Sequence, residues 1–262
     1  MKDEHPEIEI HYFEEDIKFN DLLVVVTHPT IGTISSIVGN YLVQELDLRL
    51  IGAFLSPELS PTAMVYNGVP EPPIRIYAGE YNDDPTTDFD QIVVIASDLP
   101  MERKFMYELS DRIIEWSKFN NARAILTIEA INREELRLEN EVKVFSLTTN
   151  GESSSYVEGI DGLLKFRQGM VSGMTGLLQY KGRIAEFPVI SFLAEAHENF
   201  PDSRSAAAVL AKLNKLVPKI TIDPEPLLQQ AEKVEDQIRQ ALSQIKQQQG
   251  PPKHKAPVGM FA

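Results

Sequence analysis

Residues 22–46 read LLVVVTHPTIGTISSIVGNYLVQEL and contain an apolar run, a turn and an amphipathic segment in that order. The run Leu22–Val26 is continuously apolar, which is typical of a strand buried on both faces of a parallel sheet. From Gly32 to Leu46 the apolar residues recur at helical spacing. The stripe consists of Ile34, Ile37, Val38, Tyr41, Leu42 and Leu46. A buried strand followed by such a helix predicts an α/β protein.

The same alternation of apolar runs and amphipathic segments continues to residue 216. Helical spacing recurs at Met101–Phe119, and Ser203–Leu216 combines high helix propensity with a serine or aspartate available as a cap. This order predicts a mostly parallel sheet with helices on both faces. The proline-rich residues 56–79 are predicted as an excursion with a hairpin. The further predicted strands are Leu50–Leu55, Ile92–Ala96, Ala124–Ile128, Val142–Leu147 and Val189–Leu193.

The composition excludes several classes of protein. The 262 residues include no cysteine, so disulfides, zinc–thiolate sites, iron–sulfur clusters and thiol nucleophiles are excluded. The net charge of −14 disfavours a broad surface for nucleic acid or anionic membrane. No apolar run approaches the roughly 18–20 residues of a membrane helix, and the acidic residues 1–16 are unlike a signal peptide. We predict a soluble, cytoplasmic protein without nucleic-acid or membrane partners.

The sequence divides into a core and two C-terminal segments. Residues 1–223 are predicted as an α/β core domain, 224–246 as an amphipathic helix and 247–262 as a flexible tail. The helix carries a heptad-like stripe formed by Leu227, Ala231, Val234, Ile238, Ala241 or Leu242, and Ile245. Two interpretations remain open: a terminal helix packed on its own domain, and a helix packed between subunits.

The chain ends in an apolar tip on a spacer without core-forming residues. Residues 247–262 read QQQGPPKHKAPVGMFA, and the last three are Met260, Phe261 and Ala262. A large aromatic residue at a mobile end exposes apolar surface for no folding reason. The spacer, the apolar tip and the free carboxylate together resemble a peptide ligand for a groove with a carboxylate-binding group. We predict Met260, Phe261 and Ala262 as partner-binding residues; the alternative is a chain end without a role.

Two turns lead into helices: Thr27–Thr33 follows the first strand, and Gly169–Gly176 precedes the apolar pair Leu177 and Leu178. A strand–glycine–helix turn such as the first can hold an anion on the helix N-terminus, but this turn lacks the lysine and glycine spacing of a phosphate loop and lacks a G-x-G-x-x-G motif. For the second turn the alternative is a binding loop. Tight turns and close backbone packing are therefore the favoured interpretations.

No set of residues predicts catalysis. The five histidines are scattered, with no two at metal-ligand spacing on one element. Ser153–Ser155 follows the Asn150-Gly151 turn, is predicted to lie in a loop and lacks a G-x-S-x-G context. We predict no catalytic residue, no metal site and no cofactor.

Five segments, taken in order, carry a resemblance to a known family. They are residues 22–46, Ile51-Gly52 with Ser56-Pro57, Pro73–Tyr77, Gly169–Leu178 and residues 188–228. In this order they resemble the archaeal relatives of the eukaryotic proteasome-assembly chaperone 2 family. The second matches an Ile-Gly-x-x-x-Ser-Pro strand end, and the third a Pro-x-Arg-Ile-Tyr strand. The resemblance covers roughly residues 20–245.

The resemblance implies a fold and a mode of binding. The fold is similar to that of purine nucleoside phosphorylases without their catalytic groups, and the members form homo-oligomers. Several members bind the core proteasome particle through a C-terminal motif of hydrophobic residue, tyrosine and any residue. The motif docks between α-ring subunits, where its carboxylate meets a lysine. Met260-Phe261-Ala262 fits this motif except that Phe261 stands in place of tyrosine.

The residues and the resemblance together predict a non-enzymatic homo-oligomer of four or more subunits. It would present its C-terminal tails to the core proteasome or a similar partner. The first alternative is a scaffold for a non-proteasomal protein. The second is a phosphorylase-like, ligand-binding enzyme that uses the turns at Gly32 and Gly173.

Overall fold

A nine-stranded mixed sheet forms the centre of the structure. The computed structural model of the chain describes residues 8–14, 17–79, 89–132, 142–198, 200–218 and 222–234. The strands are β1 (Glu9–Tyr12), β2 (Leu22–Thr27), β3 (Arg49–Leu55), β4 (Met64–Tyr66), β5 (Val69–Glu71), β6 (Ile74–Ala78), β7 (Gln91–Ser97), β8 (Ala122–Asn132), β9 (Val144–Thr148), β10 (Leu163–Lys165) and β11 (Val189–Ala196). The helices are α1 (Ile34–Glu45), α2 (Arg103–Phe119), α3 (Gly151–Val157), α4 (Gly173–Ile184) and α5 (Ser203–Leu216).

The sheet is parallel at its centre and largely antiparallel at its flanks. Its strand order is β1-β3-β6-β7-β2-β8-β11-β9-β10. The four central strands β7, β2, β8 and β11 run parallel, as the continuous apolar runs predict. On one flank β1, β3 and β6 alternate in direction, and on the other β9 is antiparallel to β11. The prediction of a mostly parallel sheet therefore holds for the centre and not for the flanks. Parallel neighbours need a crossover connection, usually a helix, whereas antiparallel neighbours can be joined without one.

Helices cover both faces of the sheet, as predicted. Along β2 the side chains alternate, so Leu23 and Val25 belong to one apolar core, whereas Leu22, Val24 and Val26 belong to the other. Helices α1 and α5 pack on the first face, and α2 and α4 pack on the second. The six predicted strands and three predicted helices are all present. Most of their ends lie within two residues of the predicted ends, but β8 and β11 continue four and three residues beyond the predicted Ile128 and Leu193.

The proline-rich excursion contains the predicted hairpin. Strands β4 and β5 pair antiparallel around Asn67 and Gly68, which both have positive φ. The excursion ends in β6, which returns to the main sheet between β3 and β7.

The loop predicted around Ser153–Ser155 is wrong, because these residues lie in helix α3. The Asn150 side chain accepts a hydrogen bond from the Ser153 backbone N–H at 2.9 Å, and the Asn150 N–H donates to Ser153 Oγ at 3.1 Å. This reciprocal pair caps the helix start. The Asn150-Gly151 pair, interpreted from the sequence as a turn, is therefore the N-cap and the first residue of helix α3.

The described part of the chain ends in a helix that packs on the core domain. Residues 225–234 are helical, and Leu227 and Ala231 of the predicted stripe are buried. The Tyr41 hydroxyl donates to the Asp223 carbonyl at 2.6 Å and ties the preceding loop to α1. The rest of the stripe and the tail with Met260, Phe261 and Ala262 lie outside the described residues. Within the described residues, no helix is both long and apolar enough to cross a bilayer.

Candidate functional site

A cleft opens at the carboxyl ends of the central parallel strands. The helix after β2 lies on one face of the sheet and the helix after β7 lies on the other, although the two strands are neighbours. Such a switch point leaves a crevice between the two connections. The cleft has a volume of about 440 Å³. Its walls come from His28–Ile31, Leu99–Met101, Glu129–Ile131 and the start of α4.

The turn after β2 forms one wall and depends on Gly32. This glycine has a φ of +60°, and a Cβ atom there would lie 2.9 Å from the His197 carbonyl oxygen. Its own carbonyl accepts a hydrogen bond from the Asp202 N–H at 2.8 Å. Gly32 is therefore a structural residue, as predicted, and it holds the turn against the segment that follows β11.

The glycine-rich segment Gly169–Gly176 forms the opposite wall. A Cβ atom at Gly176 would lie 2.3 Å from the Val171 carbonyl oxygen, and one at Gly169 would lie 2.5 Å from the Phe166 ring. The predicted close backbone packing is confirmed. The structure brings this segment and the Gly32 turn to one cleft, which is the arrangement that the ligand-binding alternative requires.

His28 and Glu129 form the polar pair of the cleft. His28 Nε2 lies 3.5 Å from Glu129 Oε2, and Glu129 Oε1 accepts the Ala130 N–H at 3.0 Å. The His28 side chain is 9% exposed and the Glu129 side chain 21%. His28 Nδ1 is buried and has no hydrogen-bond partner among the described residues. The pair fixes the carboxylate while leaving part of it open to the cleft.

Sequence reasoning singled out the His28 turn but missed Glu129. The two residues are far apart in the chain and meet only because β2 and β8 are neighbours in the sheet. One signal was available: Glu129 follows the apolar run Ala124–Ile128 directly, so it lies near the carboxyl end of a buried strand. Polar residues at such ends line the ligand crevices of open α/β sheets.

Apart from Thr30 and Ser172, the remaining lining is apolar and rich in methionine. Of the chain's seven methionines, four line the cleft: Met101, Met106, Met170 and Met174. The lining residues that the structure describes include neither lysine nor arginine. Across the described ranges, no group of three or more histidine, aspartate or glutamate side chains is arranged to hold a metal ion.

A second polar cluster holds the proline-rich excursion on the sheet. The Arg75 side chain is 1% exposed; its guanidinium donates to Glu71 Oε2 at 3.1 Å and also pairs with Asp98. The guanidinium carbon lies 4.5 Å from the centre of the Tyr66 ring. Burial raises the pKa of the Tyr77 hydroxyl, which lies beside the same group. The hairpin tip leaves Val65 and Val69 exposed.

The predicted docking residues Met260, Phe261 and Ala262 are not among the residues that the structure describes. The structure describes the cleft as a candidate site, whereas the docking tip is a candidate site that the sequence alone indicates.

Comparison with known proteins places the chain among relatives of similar architecture. Residues 24–242 match the PAC2 family. The crystal structure of Pyrococcus furiosus PbaA, an archaeal homolog of proteasome-assembly chaperone, has a TM-score of 0.78 and 24% identity, over 94% of this chain and 95% of its own. The crystal structure of Pyrococcus furiosus PbaB, an archaeal proteasome activator, has a TM-score of 0.77 and 21% identity. The match covers 90% of this chain and 99% of the PbaB chain. An uncharacterized protein of Methanocaldococcus jannaschii is 26% identical over 228 residues, which are 87% of this chain and 88% of that protein.

Proposed function

This chain belongs to the PAC2 family, and on that premise we propose that it is a cytoplasmic, non-enzymatic homologue of proteasome-assembly chaperones. It forms a homo-oligomer of four or more subunits and presents its C-terminal tails to the core proteasome. The observation that carries the proposal is the family match together with the shared fold of PbaA and PbaB. The names of those two neighbours describe a chaperone homologue and an activator, not enzymes.

The tail has the reach and the chemistry for docking. Residues 247–262 span at most about 50 Å when extended, at about 3.3 Å per residue. Pro251, Pro252 and Pro257 reduce the number of unbound conformers and so lower the ordering cost on binding. Burying the Phe261 ring contributes about 1.5–3 kcal/mol. The terminal carboxylate adds a charge-assisted contact to a lysine of the partner.

Oligomerisation compensates for the small size of the tip. A three-residue tip binds weakly by itself, because little apolar surface is available to bury. Several tips on one oligomer bind with an effective concentration that raises avidity by about 10²–10⁴. The proposal therefore links the number of subunits to the strength of proteasome binding.

The experiment is a binding assay with purified core proteasome and with native extract. The compared proteins are the full chain, a chain that ends at Gly259, Phe261→Ala and Phe261→Tyr. Phe13→Ala is the matched control, because Phe13 is an aromatic residue that is 48% exposed at the end of β1, away from the α2 and α4 surface. We expect truncation and Phe261→Ala to abolish binding, the control to bind normally, and Phe261→Tyr to bind as well as or better than the full chain.

The result that contradicts the proposal is equal proteasome binding by the full chain and by the chain that ends at Gly259. In that case the tail is a tether and another surface makes the contact. The unfolding temperature and the oligomer mass of each variant are measured in parallel, so that loss of binding is separated from loss of structure.

Phe261 stands where the docking motif of the resembled family has a tyrosine. This difference favours one alternative, a scaffold for a non-proteasomal protein. The missing hydroxyl removes a possible hydrogen bond of about 0.5–1.5 kcal/mol. Tail-dependent recovery of another protein from native extract, without the proteasome, supports this alternative. The phosphorylase-like alternative has less support, because the described lining of the cleft has no lysine or arginine to hold a phosphate.

A further inference from the structure

The proposed docking of the tail makes no use of the cleft at the carboxyl ends of the central strands. The cleft nevertheless has the features of a ligand site: about 440 Å³ of space, apolar walls and a fixed polar pair. We propose that this cleft binds a small organic cation, an ammonium or amidinium group on an aromatic or aliphatic body. Glu129 is the counter-ion of that group.

The charge of the ligand follows from the carboxylate of Glu129. This carboxylate is oriented by the Ala130 N–H and by His28, yet an ionised carboxylate accepts about four hydrogen bonds and keeps capacity for a ligand. Apart from His28, whose Nε2 lies 3.5 Å from it, Glu129 is the one ionisable side chain of the described lining, and no lysine or arginine there competes for its carboxylate. An ammonium or amidinium group supplies the matching donors and a positive charge.

The start of helix α4 also opens on the cleft, and its partial positive charge favours an anion. Ser172 and Gly173 line the cleft there, and the Ser172 side chain makes no capping hydrogen bond. A helix N-terminus is equivalent to about half an elementary charge, and a carboxylate carries a full one. Glu129 therefore decides the sign of the preferred ligand.

The apolar side chains of the cleft walls determine which nonpolar group the ligand can carry beside its cation. Met101 and Met106 come from the segment at the start of α2, and Met170 and Met174 come from the opposite wall, with Phe166 between β10 and α4. Methionine side chains adapt to irregular apolar shapes and contact aromatic rings favourably. Phe166 adds a ring face for a cation. A compact ring or a short aliphatic chain suits this lining better than a long polar molecule.

The test uses three probes of nearly equal shape and different charge: benzamidine, benzamide and benzoate. Each is titrated into the full chain at low ionic strength, with calorimetry and with NMR of the methionine methyl groups. We expect benzamidine to bind at least about tenfold more tightly than the other two. The methyl signals of the four cleft methionines should shift, whereas that of Met64 in the hairpin should not.

Glu129→Gln keeps the shape of the side chain and removes its charge, so it should weaken benzamidine binding at least about tenfold. Glu158→Gln is the matched control, because Glu158 is an exposed acid at the end of α3. A chain that ends at Gly259 should bind benzamidine normally, which separates this proposal from tail docking.

Four results overturn the proposal: benzoate or benzamide binding as tightly as benzamidine, no benzamidine binding at millimolar concentration, unchanged binding by Glu129→Gln, or loss of binding on tail truncation. The ranking of the three probes uses the unmodified chain. It therefore remains decisive if Glu129→Gln fails to fold.

Discussion

At the scale of single residues, Arg75 places a full charge inside the protein. Two carboxylates pair with it, those of Glu71 and Asp98, and both are themselves largely buried. The rings of Tyr66 and Tyr77 lie at 4.5 and 5.6 Å from the guanidinium carbon. Because Asp98 follows β7 and Glu71 ends β5, this one side chain connects the hairpin to the main sheet.

We expect Arg75→Met to lower the free energy of unfolding by about 3–5 kcal/mol, since it leaves two partly buried carboxylates without their cation. Arg49→Met is the control: the Arg49–Glu14 pair is mostly exposed, so its loss should cost at most about 1 kcal/mol. Urea unfolding measures both. Equal effects of the two substitutions would show that the buried cluster adds no stability.

The tyrosines around Arg75 predict a loss of stability in alkali. Burial raises the pKa of the Tyr77 and Tyr66 hydroxyls above the ordinary value of 10.0. The folded state therefore holds these protons more tightly than the unfolded state. The contribution of these two hydroxyls to the free energy of unfolding is fully present below about pH 10, the pKa in the unfolded state. It is lost as the pH rises above that value.

We expect the free energy of unfolding to fall more steeply above pH 10 in the natural chain than in Tyr77→Phe. Below pH 9 the difference between the two proteins should be constant. Unfolding in urea at a series of pH values measures this. Parallel curves from pH 7 to 11 would contradict the raised pKa of Tyr77.

At the scale of elements, two glycines in helices have opposite surroundings. Gly176 lies in α4, where a Cβ atom would approach the Val171 carbonyl oxygen to 2.3 Å. Gly151 is the first residue of α3, and a Cβ atom there would have no neighbour within 4 Å. The first glycine permits the close return of the segment before α4, whereas the second only adds conformational freedom to the unfolded chain.

We expect Gly176→Ala to lower the free energy of unfolding by about 1–3 kcal/mol, because the backbone must shift to admit the methyl group. Gly151→Ala should raise it by about 0.4–1 kcal/mol. Thermal and urea unfolding of the two single variants measure these changes. Stabilisation by both substitutions would mean that the α4 segment does not pack as described.

At the scale of the whole molecule, several large apolar side chains lie on the surface of the α2 and α4 layer. Phe119 and Ile184 are 86% and 78% exposed, and Tyr107 and Tyr180 are each more than 40% exposed. A surface of this kind is available for contacts between copies. The net charge of −14 opposes close association of copies and is screened by salt.

We expect light scattering to give the mass of four or more copies of the 29.5 kDa chain across the micromolar range. The mass should be at least as large at high salt as at low salt. Removal of residues 260–262 should leave it unchanged, since the tip is proposed to bind a different protein. A monomer mass throughout this range would contradict the proposed homo-oligomer.

Local pattern was sufficient for most of the fold. Continuous apolar runs identified the buried strands, and helical spacing identified α1, α2 and α5, because burial on both faces of a sheet or on one face of a helix requires those patterns. Strands β1 and β10 and helix α3 were missed. Strand β1 is short and mostly exposed and lacks the continuous apolar run by which the buried strands were identified, β10 has only three residues, and the capping role of Asn150 resembles that of a turn residue.

The sequence by itself determined the α/β class, the proline-rich hairpin, the tight turn at Gly32 and the apolar tip at Met260–Ala262, because each depends on neighbouring residues. Only the tertiary structure decided the direction of the flanking strands, the burial of Arg75 between Glu71 and Asp98, and the meeting of His28 with Glu129. Those features depend on strand order. Strand order joins residues that are distant in the chain, so no local pattern records it.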